Sequence, residues 1–198
     1  MRLIKTRLRI SQLDIYSQHL YWSACCAAFF GFLRVGELAT SSTTHFSPSD
    51  HTLLFHHVTF TSSSTVTLYL RHSKTDAINA GNHIVLHATN RSICPVKAIR
   101  KFFSYRQRTS TSPDHPFFTF PDGSFLSTHS FSQALKTFLK HIPEPKRYST
   151  HSFRIGAATT AAKNHTAEHI IQKAGRWKSD TYRRYIRQPD ISKHLTFY

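Results

Sequence analysis

Apolar residues recur at helical intervals along much of this chain, and the longest such segment lies near its start. The segment from Ser11 to Leu33 predicts a long, largely buried helix. Arg34 stands at or just beyond the end of that helix, and Gly36 permits a bend before a short helix from Glu37 to Ala39. The pattern therefore places Arg34 and Glu37 together at a helix junction.

Three segments rich in Val, Thr, Leu, Phe and Tyr predict strands instead. They run from Leu53 to Phe60, from Thr65 to Arg71 and from His83 to His87. Ser62 to Ser64 predict a tight hairpin between the first two, and a loop precedes the third. Because Lys74 falls in that loop, we expect it near the tip of a small antiparallel sheet.

Helical spacing returns after the strands and dominates the rest of the chain. Helices are predicted from Pro95 to Gln107, from Ser127 to His141, from a cap at Ser149 or Thr150 to Lys163, from Ala167 to Ala174 and from Ser179 to Ile186. The elements together predict an α+β, mainly α fold, in which a helical bundle carries a small three-stranded antiparallel sheet.

Composition limits both the architecture and the partner. A chain of 198 residues with 39% hydrophobic content predicts one globular domain. Its 26 Lys and Arg against 10 Asp and Glu give a formal charge of +16, which favours a polyanion, with nucleic acid ahead of an anionic membrane surface. The most apolar run, Ala24 to Leu33, is about half of what a transmembrane helix needs.

The N-terminus and the cysteines indicate an intracellular protein. Positive charges near Met1 are followed by no apolar core of a secretory signal. Cys25, Cys26 and Cys94 cannot form a disulfide framework and are predicted to be reduced packing residues. His165 and His169 have the spacing of a metal pair on a helix, but without a third ligand we predict no metal site and no cofactor.

A group of residues near the C-terminus suggests phosphodiester chemistry. His151 and Arg154 are three apart and share one face of a helix. Guanidinium groups offer paired, always charged donors to phosphate oxygens, so Arg154 and the distant Arg34 are candidate clamps. Two positive charges would also favour the phenolate of a nearby tyrosine, and Tyr185 is the candidate nucleophile.

With these residues in order, the chain resembles the tyrosine recombinases, also called the phage integrase family. The resemblance covers about residues 11 to 190 and rests on five blocks of sequence. The segments Gly-Arg-Trp-Lys-Ser-Asp and Arg-Tyr-Ile-Arg look most like those of recombinases from DIRS-type or Crypton mobile elements. The blocks are Leu33-Arg34-Val35-Gly36-Glu37-Leu38, Lys74 in the hairpin, His151-Ser152-Phe153-Arg154, Gly175-Arg176-Trp177 and Tyr185-Ile186-Arg187.

The resemblance implies a catalytic domain for recombination or integration that cuts double-stranded DNA without metal or nucleotide cofactor. It implies that Arg34 and Arg154 bind the scissile phosphate while Tyr185 attacks it to form a 3′-phosphotyrosine. Lys74 would protonate the departing 5′ oxygen, and His151 would transfer a proton at the tyrosine. The same resemblance gives a tetramer on DNA and, for a eukaryotic protein, a nuclear location.

Two further positions follow from the same resemblance. Trp177 would donate its indole N–H to a phosphate oxygen and pack against the nucleophile's helix. Glu37 would orient its neighbours without reacting.

The chain departs from the family pattern in two places. Tyr185 follows Trp177 by eight residues, one fewer than in many members, which leaves Tyr182 as a rival nucleophile. The family also carries a helical core-binding domain before the catalytic domain, and we expect residues 1 to 198 to be the catalytic domain alone. A DNA-binding remnant that no longer cuts, or a type IB topoisomerase that relaxes DNA, are therefore alternative functions.

Taken singly, the candidate residues also have ordinary interpretations. Arg34 could be a cap or an ion-pair partner of Glu37, and Lys74 could be a solvated loop lysine. His151 could cap a helix, and Trp177 could belong to the core.

Overall fold

The protein is described here by a computed structural model that covers residues 1–47, 51–71, 81–109 and 112–187. Within these ranges the helices are α1 (Arg2–Arg9), α2 (Ile15–Phe30), α3 (Val35–Leu38), α4 (Pro95–Arg106), α5 (Thr128–Leu139), α6 (His151–Lys163) and α7 (Glu168–Ala174). The strands are β1 (Val58–Ser62), β2 (Thr65–Leu70) and β3 (Asn82–His87), and 3-10 helices span Phe55–His57, Pro145–Arg147 and Asp180–Tyr185. The predicted α+β, mainly α class is confirmed.

Helix α2 forms the centre of the structure. It packs against α1, α3, α4 and α6, and its residues Leu20, Ala24 and Cys25 are fully buried. Its small alanine and cysteine side chains let neighbouring helices approach closely, and 10 of its 16 residues are buried. The predicted helix begins four residues later than expected, at Ile15, because Asp14 accepts the N–H of Ser17 and caps it.

The three strands form one antiparallel sheet in the order β1-β2-β3. Val66, Leu68 and Leu70 alternate inward from β2 and are fully buried, whereas the residues between them are partly exposed. The predicted hairpin is confirmed, since Ser62 pairs with Thr65 across the turn. The predicted start of β1 at Leu53 is wrong, because the Phe55 N–H bonds to His115 and the chain makes a 3-10 turn before Val58.

The N-terminal helix α1 was not predicted. Ile4 and Leu8, four residues apart, are buried, and the helix packs on α2 and α5. Of the two predicted caps of α6, Thr150 is confirmed in position. Thr150 stands at the N-cap without a side-chain bond, and the hydroxyl of Ser152 instead accepts the N–H of Ser149.

A second, smaller cluster of buried residues lies apart from the main core, between α6, α7 and the last 3-10 helix. Its buried members are Ala158, Ile171, Trp177 and Tyr182. The final helix was predicted as an ordinary helix from Ser179 to Ile186, but the structure has a 3-10 helix, Asp180–Tyr185. With about three residues per turn, residues three apart lie on the same face. Tyr182 and Tyr185 therefore both face this cluster.

The described ranges were also compared with the requirements of a membrane span, a metal site and a disulfide. No helix there is long and apolar enough to cross a membrane. In the same ranges no group of three or more His, Cys, Asp and Glu side chains is arranged to hold a metal ion. The three cysteines are buried and unpaired with one another.

Candidate active site

Arg34 and Glu37 occupy the junction between α2 and α3. Arg34 stands at the N-cap of α3, where its N–H donates to the Glu37 carboxylate at 2.8 Å. Its guanidinium Nη1 lies 3.1 Å from the other carboxylate oxygen. The ordinary ion-pair interpretation of Arg34 therefore holds, yet 30% of its side chain remains exposed while that of Glu37 is 3% exposed.

A second arginine reaches the same carboxylate from far along the chain. Arg176 Nη2 donates to Glu37 Oε2 at 2.7 Å, and its guanidinium also donates to the carbonyls of Gly31 at 3.1 Å and Phe32 at 3.3 Å. Its side chain is 9% exposed. Burial lowers the pKa of Arg176, and the Glu37 carboxylate opposes that shift. Arg176 thus ties the end of α7 to the end of α2.

Arg154 is the most deeply buried of the candidate residues. Only 1% of it is exposed, and its two terminal nitrogens donate to the carbonyls of Phe32 and Gly175. Burial, together with the charges of Arg34 and Arg176, lowers the pKa of its guanidinium to about 10. At neutral pH the group keeps its charge, so the site is strongly positive.

Trp177 lies at the centre of the aromatic side of the site. Its ring is 4.2 Å from the Arg154 guanidinium carbon and 4.8 Å from the Tyr185 ring. Phe32 meets it edge-on, with ring centroids 6.1 Å apart. A cation over an indole face is attracted to the ring's negative potential, so the packing helps to hold Arg154 in place.

Tyr185 is partly exposed and lies between the cationic and the aromatic groups. Its ring centroid is 5.1 Å from His151 and 5.7 Å from the Arg154 guanidinium carbon. The Thr159 hydroxyl of α6 donates to the Tyr185 carbonyl at 3.1 Å and accepts the Arg187 N–H at 3.1 Å. Two backbone bonds to one side chain thus fix the chain on both sides of Ile186.

His151 begins α6, one turn before Arg154. Partial burial and the positive charges of Arg154 and Arg34 lower its pKa below the ordinary value of 6.5. The imidazole is therefore neutral at pH 7 and able to accept a proton. Its ring lies beside that of Tyr185, with centroids 5.1 Å apart, which makes the phenol a candidate donor of that proton.

Tyr182 has a different environment from Tyr185. It is 3% exposed, and its hydroxyl donates to the Glu168 carboxylate, which also pairs with Arg183 at 3.0 Å. The hydrogen bond to Glu168 raises the pKa of Tyr182. A buried phenol held by a carboxylate is a poor nucleophile, so the structure favours Tyr185 between the two.

The structure brings together six of the seven residues that the sequence singled out, namely Arg34, Glu37, His151, Arg154, Trp177 and Tyr185. Lys74 lies outside the described residues. The expectation that Arg154 offers both terminal nitrogens to a phosphate needs correction. In the structure these nitrogens donate hydrogen bonds to the backbone carbonyls of Phe32 and Gly175. Of the two arginines predicted to bind the phosphate, Arg34 is the one with a partly exposed side chain.

Sequence reasoning missed two residues. Arg176 appears there only within the Gly175-Arg176-Trp177 block, and Thr159 falls inside a predicted helix without a role of its own. An arginine beside a buried tryptophan is a usable signal, because a buried cation needs partners. The bonds of Thr159 leave no such trace, because they join main-chain groups that carry no sequence pattern.

Comparison with known proteins gives a likeness of fold. No protein-family model and no curated protein sequence matches the chain. The structure resembles the XerA recombinase, with a TM-score of 0.70 and 17% identity over 100% of this chain and 62% of XerA. It also resembles the XerH site-specific recombinase bound to difH substrate in a pre-cleavage complex, with a TM-score of 0.68 and 12% identity over 97% of this chain.

A third similar structure is the Tn1549 transposon integrase in complex with circular intermediate DNA, with a TM-score of 0.54 and 13% identity over 94% of this chain and 59% of the integrase. The chain spans only about half of XerH, at 50%, and less than two thirds of the other two. The shared part holds the helices and the antiparallel sheet described above. The chain therefore has the fold of the tyrosine recombinase catalytic domain.

Proposed function

We propose that this protein cleaves and rejoins strands of double-stranded DNA through a covalent 3′-phosphotyrosine at Tyr185. The observation that carries the proposal is the place of Tyr185, partly exposed between the neutral imidazole of His151 and the buried charge of Arg154. The formal charge of +16 supports a polyanionic substrate.

The steps balance within this site without a metal or a nucleotide. The Tyr185 phenol gives its proton to His151 as its oxygen attacks the phosphorus, and the bond from phosphorus to the 5′ oxygen breaks. Lys74 is the proposed donor of a proton to that oxygen. Rejoining reverses each step, because the phosphotyrosine conserves the energy of the broken bond.

The two arginines would contribute in different ways. The partly exposed side chain of Arg34 would bond directly to the phosphate oxygens, on which negative charge grows during attack. Arg154 would act first through its charge, because its terminal nitrogens are already bonded to carbonyls. Trp177 would hold Arg154 and the Tyr185 ring at a fixed separation.

The biological setting is part of the proposal. Recombination or integration of a mobile element is supported by the shared fold, which a transposon integrase also has. Exchange of strands between two duplexes would require a tetramer on DNA. An intracellular location, nuclear in a eukaryote, would give access to that DNA.

The test is covalent trapping on a pool of nicked duplexes of randomised sequence, from which a cleaved end diffuses away. The wild-type protein should form an adduct that withstands SDS, and peptide mapping should place it on Tyr185. Tyr185→Phe should bind the same DNA and form no adduct, whereas the matched variant Tyr182→Phe should retain it.

Other outcomes decide between the alternatives. An adduct that is lost only in Tyr182→Phe would move the nucleophile to Tyr182. DNA binding with no adduct in the wild type would indicate a non-catalytic remnant. Relaxation of a supercoiled plasmid without pairing of two DNA sites would indicate topoisomerase activity.

A further inference from the structure

We propose that Arg176 is a positioning residue that sets both Arg34 and Arg154 for the scissile phosphate. The inference rests on the proposed function and adds a residue to which the family resemblance gave no role. Arg176 would not touch DNA. It would act through the groups that it shares with the two other arginines.

The first shared group is the Glu37 carboxylate. Its Oε1 pairs with the Arg34 guanidinium at 3.1 Å, and its Oε2 pairs with Arg176 at 2.7 Å. Glu37 is almost completely buried, so each oxygen needs a partner. Without Arg176, Oε2 would keep only the Arg34 N–H as a partner, and the less fully paired carboxylate would draw the Arg34 guanidinium inward, away from the exposed side of the site.

The second shared group is the carbonyl of Phe32. It accepts hydrogen bonds from Arg176 and from Arg154. A bond from Arg176 to the neighbouring Gly31 carbonyl, at 3.1 Å, steadies the same turn. The position of the Phe32 carbonyl sets where the Arg154 guanidinium lies, so Arg176 reaches Arg154 through it.

The backbone shows that this turn is held by its contacts. Phe32 and Arg176 both have left-handed backbones, with φ of 50° and 55°. Non-glycine residues adopt this region only where surrounding contacts outweigh its cost. The bonds from the Arg176 side chain to the Phe32 turn are such contacts, and they join the two strained positions to each other.

The charge arrangement distinguishes positioning from simple packing. Three guanidinium groups lie near one carboxylate, and the charges of Arg34 and Arg176 both lower the pKa of Arg154. A site with this excess of positive charge suits a phosphate anion. Displaced guanidiniums would therefore slow attack on a charged phosphate far more than attack on a neutral analogue.

The experiment compares single-turnover adduct formation on two matched duplexes, one with the natural phosphate at the cleaved position and one with a neutral methylphosphonate. The variants are Arg176→Met, Arg176→Lys and, as a control, Arg183→Met, which removes an exposed arginine paired with Glu168. If Arg176 positions the other two arginines, Arg176→Met should lower the rate of adduct formation about 100-fold on the phosphate and only about threefold on the methylphosphonate. Arg176→Lys should recover part of the phosphate rate.

Equal losses on the two substrates would overturn the proposal, because a fold defect lowers both rates alike. A phosphate rate that matches Arg183→Met would overturn it too. Failure of the proposed function is a separate result, seen when the wild type forms no adduct. In that case the hydrogen-exchange rate of the Arg154 Nε–H tests whether Arg176 holds Arg154 in place. The proposal predicts at least about tenfold faster exchange in Arg176→Met than in the wild type, and an unchanged rate would refute it.

Discussion

The Tyr185 ring packs against the Trp177 indole with centroids 4.8 Å apart and planes at 54°. The Arg154 guanidinium lies on the same indole at 4.2 Å. One side chain thus spaces the proposed nucleophile from a buried charge. Trp177 and Tyr185 belong to the smaller cluster, outside the main core, so this spacing depends on a few contacts.

We therefore expect Trp177→Ala to lower the free energy of unfolding by about 3 kcal/mol, the usual cost of emptying a large buried aromatic site. The yield of adduct should fall by more than the loss of folded protein accounts for, because Tyr185 and Arg154 both lose the indole against which they pack. Urea denaturation and adduct yield measure the two effects. Trp177→Phe is the control, and it should keep most of the stability and part of the yield.

Thr159 gives a test of how the nucleophile's backbone is held. Thr159→Val keeps the shape of the side chain and removes the hydroxyl that bonds to the Tyr185 carbonyl and the Arg187 N–H. We expect a loss of about 1 to 2 kcal/mol and a slower cleavage step with unchanged DNA affinity. Thr160→Val, on the exposed next position of α6, should change neither quantity.

Gly175 has no room for a side chain. A Cβ at this position would overlap the six-membered ring of Trp177, whereas a Cβ at Gly36 meets nothing within 4 Å. Gly175→Ala should therefore displace the indole and abolish adduct formation, with a loss of roughly 1 to 3 kcal/mol. In a Trp22→Phe background Trp177 is the remaining tryptophan, and its emission on excitation at about 295 nm should shift to the red.

Gly36→Ala in the same background is the matched control for stability and emission. Both should remain close to the parent values. A Gly175→Ala protein with unchanged emission and adduct yield would show that the indole does not need this close approach.

The pH dependence of cleavage should report His151. Because burial and the Arg154 and Arg34 charges lower its pKa, the neutral form persists below pH 6.5. The acid limb of the rate profile should have its midpoint below 6.5. An NMR titration of His151 should agree with it, and Arg34→Met should move the imidazole pKa up; a midpoint above 6.5 would contradict the role of His151 as acceptor.

His57 should make the fold sensitive to acid. Burial, with the neighbouring His56 and Arg71, lowers its pKa to about 4. The unfolded chain therefore binds a proton at His57 more readily than the folded chain does. The stability that neutral His57 provides is fully present above pH 6.5 and is lost as the pH falls toward 4. The loss should approach about 3 kcal/mol. Urea curves at pH 7, 5 and 4 measure it.

His57→Phe should remove that part of the pH slope, since a phenyl ring can keep the edge contact with Tyr69. His129→Gln changes an exposed histidine of α5 and should leave the slope intact. Equal slopes in His57→Phe and the wild type would assign the acid sensitivity elsewhere.

Local patterns in the sequence were enough to predict the class of fold and most of its elements. Apolar periodicity gave α2, α4 and α5 within a few residues, and strand-type composition gave β2 and β3. The prediction failed where partners distant in sequence decide the conformation. Phe55 lies in a 3-10 helix and not in a strand, because its N–H donates to the His115 carbonyl. Helix α1 forms because it packs against α2 and α5.

For the candidate site, the chemical groups could be identified from the sequence: two spaced arginines, a histidine, a tryptophan and two tyrosines. The tertiary structure decided which of them share a site and in what state. Tyr182 is buried on Glu168 and Tyr185 is left available, while Arg154 turns to two carbonyls and Arg176 joins Glu37. Burial and hydrogen bonding decide these outcomes, because the partners are brought together only by folding. Phe32 lies 122 positions from Arg154 and Glu37 lies 139 from Arg176, and even Glu168 lies 14 positions from Tyr182.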